Sequence, residues 1–252
     1  MRHSRTRKTC AVVFALALLT SGAGYVGAQT RLKPGMNLFS LRDDVEIGRR
    51  SASQVERQYR SYNDRRVSRI GQQLAARSTM PNLPWRFRVV NRADANAFAL
   101  PGGYIYVTSG MLRRTRNDSE LAGILAHEVT HVTLRHGTNQ ASKAMLAQMP
   151  LQILGGRLGG GLVGNLAQLG VSFGLNSLFL KYSRSAETQA DVGAVQLMRR
   201  AGYNPQGLVS FMQTLGNRGG GFLSDHPSPS NRVGRIQQEI VATGGRGGFS
   251  RR

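Results

Sequence analysis

Leu121–Gly137 reads LAGILAHEVTHVTLRHG, and the order H-E-x-x-H formed by His127, Glu128 and His131 sets what the rest of the chain must supply. On an α-helix, residues four apart return to one face, about 40° apart, so the two imidazoles can aim at one point. That is a zinc-chelating arrangement. Glu128 is close enough to handle a water at such a centre without joining the ligand set, which suits a general base. Asn117 with Glu120 predicts a capping box, Leu121, Ile124, Leu125, Val129 and Val132 give an apolar face, and Gly137 is the expected stop. Satisfied helix histidines beside an exposed glutamate are the bland alternative. It is disfavoured because this apolar context buries the motif, and burying these groups without partners is costly.

A third ligand must come from elsewhere. After Glu128 the acids are Glu187, Asp191, Asp225 and Glu239, and beyond His131 the histidines are His136 and His226. A ligand inside H-E-x-x-H-x-x-G-x-x-H is excluded, because Leu134 and Gly137 occupy the positions that pattern gives to glycine and histidine. His136 falls near the opposite side of the helix from His127, so it is expected to be structural, favouring the helix dipole from the last turn. Glu187 is the better candidate. It opens a helical stretch running to Gly202, with Ala190, Ala194, Leu197 and Met198 at helical spacing and Arg199 and Arg200 in the last turn. Glu187 and Asp191 are four apart, so Glu187 can take the metal while Asp191 accepts the second ring N–H of a ligating histidine, most simply His127. A solvent-facing acidic pair at a helix start is the plainer reading of the same residues.

The combination of H-E-x-x-H, the later S-R-x-x-E-x-x-A-D of Ser183–Asp191, and a late His226, Pro227 and Arg232 resembles the gluzincin metalloendopeptidases that include CAAX prenyl protease, HtpX and the periplasmic BepA-like peptidases. Asn96–Gly110, NAFALPGGYIYVTSG, also resembles that family's strand and turn ahead of the catalytic helix. The resemblance covers roughly residues 59–240 and implies one zinc ion per chain on His127, His131 and Glu187, with Glu128 as base. In related periplasmic peptidases the histidine matching His226 can lie over the zinc. In this chain it would either fill the open position and hold the enzyme latent or steady the oxyanion, with Arg232 supporting that loop or the oxyanion. A surface-turn histidine remains the alternative.

The expected fold is α+β and mainly helical, a zincin-type core with a small antiparallel sheet ahead of the catalytic helix. Residues 1–28 read as a signal peptide: Arg2, Arg5, Arg7 and Lys8 precede the apolar Cys10–Leu19, and Val26-Gly27-Ala28 suits cleavage. Residues 29–43 are expected as an extended arm and 44–242 as a single metallopeptidase domain, followed by a disordered Gly/Arg tail over 243–252. Within the domain, residues up to Arg77 suggest polar helices, Trp85–Val90 a half-buried strand, and Pro101-Gly102-Gly103 a turn between paired strands. Asn96, Ala97, Phe98, Ala99 and Leu100 form a candidate edge for binding an extended substrate, or simply a structural hairpin. Leu158–Leu180 carries no charged residue, but its glycines and polar residues favour a cleft cover or a bilayer-surface contact over a span.

The chain holds 34 Lys and Arg against 13 Asp and Glu, a formal charge of +21. Such a surface attracts anionic membrane non-specifically, while no motif indicates a specific nucleic-acid role. Cys10 is the only cysteine, so a disulfide framework is excluded. The expected protein is an exported, periplasmic zinc endopeptidase acting on unfolded or misassembled envelope proteins. A zinc-stabilised binder of unfolded proteins and a membrane-embedded peptidase are the rival readings.

Overall fold

Around the central helix, Asp118–Thr133, almost every position from Glu120 onward is buried. In the computed structural model, which describes residues 29–148, 182–215, 221–226 and 231–244, the other elements wrap it. In chain order they are α1 (Leu41–Gln58), β1 (Ser61–Tyr62), α2 (Arg65–Ala76), β2 (Arg86–Val90), β3 (Ala97–Leu100), a 3-10 turn (Pro101–Gly103), β4 (Tyr104–Thr108), α3 (Ser109–Arg114), the central helix as α4, α5 (His136–Gln148), α6 (Arg184–Arg200), α7 (Gln206–Leu215), α8 (Phe222–Asp225) and α9 (Arg232–Gly244). The expected signal peptide, the uncharged Leu158–Leu180, Pro227 and nearly all of the Gly/Arg tail lie outside the described residues.

The mainly helical α+β class holds. The sheet has the order β1-β2-β4-β3, with β2 and β4 parallel and the two outer pairings antiparallel, so it is mixed rather than wholly antiparallel. The hairpin partner of β4 is β3, as the turn signal implies, and β2 joins on the other side of β4. Side-chain alternation divides the core. Phe87, Val89, Ile105 and Val107 face the layer containing α2 and α4, whereas Phe98, Tyr104 and Tyr106 pack with Ile47 and Val55 of α1 and Met145 of α5. Each fully buried large aliphatic side chain, such as Ile105 or Leu125, contributes about 1.5–3 kcal/mol.

The first helix begins at Leu41, inside the expected arm, because Ser40 and Asp43 form a reciprocal capping box. Residues 29–40 lie across the domain with defined partners. Asn37 Nδ2 donates to Thr138, the Leu38 N–H to Ser142, and Thr30 Oγ1 to Glu239. Gly48 permits α1 to cross the 3-10 turn, since a Cβ there would stand 1.8 Å from the Pro101 carbonyl oxygen.

At the start of α4, Asn117 accepts the Glu120 N–H at 2.9 Å, as the capping pattern predicts. The reciprocal half is displaced by one residue, because Glu120 accepts the backbone N–H and guanidinium of Arg116 together with the Ser210 hydroxyl. Burial opposes ionisation of Glu120, but Arg116 holds its carboxyl below the usual range. Its stabilising contribution is therefore complete above the unfolded carboxyl pKa and is lost as pH falls through the lower folded value. Glu120→Ala is expected to cost about 1–3 kcal/mol in urea unfolding near neutral pH. The gap to wild type closes under acid.

Candidate metal centre

Helix α4 presents His127 and His131 on one face, and α6 brings Glu187 to the same point. The two Nε2 atoms stand 3.0 Å apart, His127 Nε2 is 3.4 Å from Glu187 Oε2, and His131 Nε2 is 3.5 Å from Glu187 Oε1. The short helix α8 delivers His226, whose Nδ1 lies 3.0 Å from Glu187 Oε1 and 3.3 Å from His127 Nε2. All four residues are buried, with their donor atoms within 4.8 Å of one another.

These residues fit a metal ion. Donors about 2.1 Å from a tetrahedral centre stand about 3.4 Å apart, which is the scale of the separations around His127, His131 and Glu187. His127 Nδ1 lies 3.1 Å from Asp191 Oδ1. A neutral His127 then donates from Nδ1 and turns the Nε2 lone pair toward Glu187, where Oε2 has no hydrogen bond. Lone pairs and a carboxylate aimed at one buried point suit a cation. Burial opposes charge on His127, yet Asp191 and Glu187 raise its pKa to about 9. Burial instead drives His131 well below its ordinary value.

Glu128 is fully buried, and neither carboxylate oxygen has a hydrogen-bond partner among the described residues. Burial raises its pKa, with nearby His226 and His127 opposing. His226 Nε2 approaches Glu128 Oε1 at 3.5 Å. Arg232 lies behind the cluster, bidentate on Asp191 at 2.6 and 2.8 Å, with Nη2 3.3 Å from Glu187 and Nη1 3.4 Å from the His226 carbonyl oxygen. Tyr182 stacks on His131 with ring centroids 3.9 Å apart, a contact with no signal in the sequence pattern.

His136 departs from expectation. Helix α4 stops at Leu134, Arg135 takes φ 55, and His136 opens α5 instead of closing α4. Gly137, the expected stop, lies within α5. His136 therefore does not complement the α4 dipole; its Nδ1 meets His131 Nδ1 at 2.9 Å, and its Nε2 meets Gln189 Oε1 at 3.1 Å. Burial lowers its pKa to about 4, so the ring is neutral near pH 7.

Ala97–Leu100 occupy the outer edge of the sheet beside α4 and are buried, Ala99 being the most open at 8% exposure. A small cavity beside this edge is lined by Ala99, Leu100, Pro101, His131 and Tyr182. Asn96 is engaged elsewhere: its Nδ2 donates to Asp225 at 2.6 Å, while the Phe222 N–H donates to the Ala95 carbonyl. The segment carrying His226 is thus pinned to the start of β3.

A mixed sheet followed by a buried helix, with a second helix completing a histidine and glutamate cluster, defines a metallopeptidase of the zincin type. Residues 61–240 match Peptidase family M48, and the chain belongs to that family. It is similar to the mitochondrial metalloendopeptidase OMA1 of Schizosaccharomyces pombe, at 28% identity over 88% of this chain and 70% of that protein. It is 32% identical to the β-barrel assembly-enhancing protease of Yersinia pestis over 66% of this chain, but spans only 37% of that protein. The metalloprotease YcaL of Escherichia coli strain K12 is 26% identical over 94% of this chain and 98% of its own length. The protein is a metalloendopeptidase.

Proposed function

We propose that the protein is an exported zinc endopeptidase that cleaves unfolded or misassembled envelope proteins, with His127, His131 and Glu187 holding the ion and Glu128 acting as base. The observation that carries this reading is the meeting of the His127, His131 and Glu187 donors beside a buried carboxylate that has no hydrogen bond among the described residues. The donor set, two imidazole nitrogens and one carboxylate, is the type zinc accepts in catalytic sites. When bound, zinc supplies Lewis acidity toward the scissile carbonyl and acidifies a water.

The chain's own groups handle orientation and protons. Glu128 takes a proton from the attacking water and returns it to the leaving amine. Asp191 holds the His127 ring through Nδ1, and Arg232 holds Asp191, which makes Arg232 a positioning residue in this reading. An extended peptide adds along the outer edge of β3 at Ala97, Phe98, Ala99 and Leu100, where main-chain pairing accepts many sequences. Asn96 anchors the His226 segment at that edge. The envelope assignment rests on the signal-like residues 1–28 and on the β-barrel assembly-enhancing relatives. Among the described residues no helix is long and apolar enough to cross a membrane, and the cationic surface suits peripheral contact with anionic lipid.

Stripping the purified protein with a chelator is expected to abolish cleavage of an unfolded protein, and stoichiometric zinc to restore it. Restoration by magnesium but not zinc would reassign the metal. A latent resting state is favoured by His226, because its Nδ1 stands in the donor cluster. His226→Ala is therefore expected to raise the initial rate. A fall would assign His226 to the oxyanion instead, and an unchanged rate would make it a bystander.

A further inference from the structure

We infer that His136 is a positioning residue for His131: it accepts the Nδ1–H of His131 and donates its own Nε2–H to Gln189, leaving the His131 Nε2 lone pair directed at His127 and Glu187. This rests on the reading of His131 as a metal ligand. The assignment follows from what each atom can do. As the Gln189 amide is oriented, its oxygen faces His136 and only accepts, so the contact at 3.1 Å places the proton on His136 Nε2. A neutral imidazole carries one N–H, which leaves His136 Nδ1 as an acceptor. The Nδ1–Nδ1 contact at 2.9 Å must then be donated by His131. That places the His131 proton on Nδ1 and strips it from Nε2, the atom facing His127 and Glu187.

The local fold is built for this contact. Arg135 adopts φ 55, a conformation uncommon for a side chain of its size, and its guanidinium is held by Asp44 at 2.6 and 3.0 Å and by the Phe39 carbonyl at 2.6 Å. This break turns His136 back over the end of α4, with its ring edge-on to His131 at 4.9 Å and 76°. Gln189 sits two positions after Glu187 on α6, so one rigid helix supplies both a candidate ligand and the end of the chain of hydrogen bonds. His136 lies outside the donor cluster itself. The two histidines of the motif are therefore oriented differently, His127 by a carboxylate and His131 by a neutral imidazole.

The test has two parts. In histidine-labelled wild type loaded with zinc, nitrogen-15 correlation spectra are expected to show His136 protonated at Nε2 and bare at Nδ1. In competition with a chromophoric chelator, His136→Phe is expected to bind zinc about 10–100-fold more weakly, while His136→Gln, which restores an accepting oxygen, recovers most of the affinity. Protonation of His136 at Nδ1 overturns the inference. So does wild-type affinity in folded His136→Phe, or an equal loss in both folded variants. If His136→Phe does not fold, the wild-type spectrum decides. A wild type that binds no zinc overturns the ligand assignment first, and the inference with it.

Discussion

Glu128→Gln is expected to retain zinc and lower peptide cleavage by about 10²–10⁴-fold, the range ordinarily supplied by a positioned general base. The substitution keeps the shape of the side chain but exchanges a carboxylate for a neutral amide that cannot act as a base. Both Glu128 oxygens lack hydrogen bonds among the described residues although the residue is wholly buried. A structural carboxylate at such depth would be hydrogen-bonded, as Glu120 is through Arg116 and Ser210. An unpartnered buried acid also opposes folding, so the variant is expected to unfold at a slightly higher temperature than wild type. Initial rates on an unfolded protein, measured beside zinc content and thermal midpoint, check these expectations together. Normal turnover by the zinc-loaded variant removes Glu128 as the base.

The residues that meet at the candidate metal centre are readable in the sequence because their chemistry repeats at helical spacing. His127 with His131 and Glu187 with Asp191 are each four apart, and helix geometry alone places each pair on one face. The β3–β4 hairpin was legible from Pro101-Gly102-Gly103, with Gly102 supplying the positive φ of 73°. Features set by contacts distant in sequence were not legible. The parallel register of Arg86 with Tyr104 depends on an intervening excursion through β3. The stop after α4 falls at Arg135, a residue with no intrinsic preference for positive φ, held there by Asp44 from α1. That single break moved His136 from the helix face assigned by periodicity to the ring of His131. The Ser40–Asp43 capping box was written in the sequence and would have placed the start of α1 correctly.

Arg232 and Asp191 carry the other large expected effect. Their bidentate pair is almost wholly buried, with side-chain exposures of 3% and 2%. Arg232→Leu would leave the buried Asp191 without its guanidinium, and breaking a buried pair on one side costs about 3–5 kcal/mol. Removing Asp191 as well, in Arg232→Leu/Asp191→Leu, is expected to recover much of that loss because the Asp191 charge is no longer stranded. The zinc affinity should not follow. Asp191 also orients His127 through Nδ1, so the double variant is expected to bind zinc about 10–100-fold more weakly even where its stability returns. A double-mutant cycle in urea unfolding, with chelator competition on the same variants, separates the two quantities. Additive losses in stability would show that Arg232 acts through packing against Phe222 and Glu187 rather than through Asp191. Recovery of zinc affinity together with stability would mean that His127 needs no carboxylate behind it, and Asp191 would lose its role in orienting that ring.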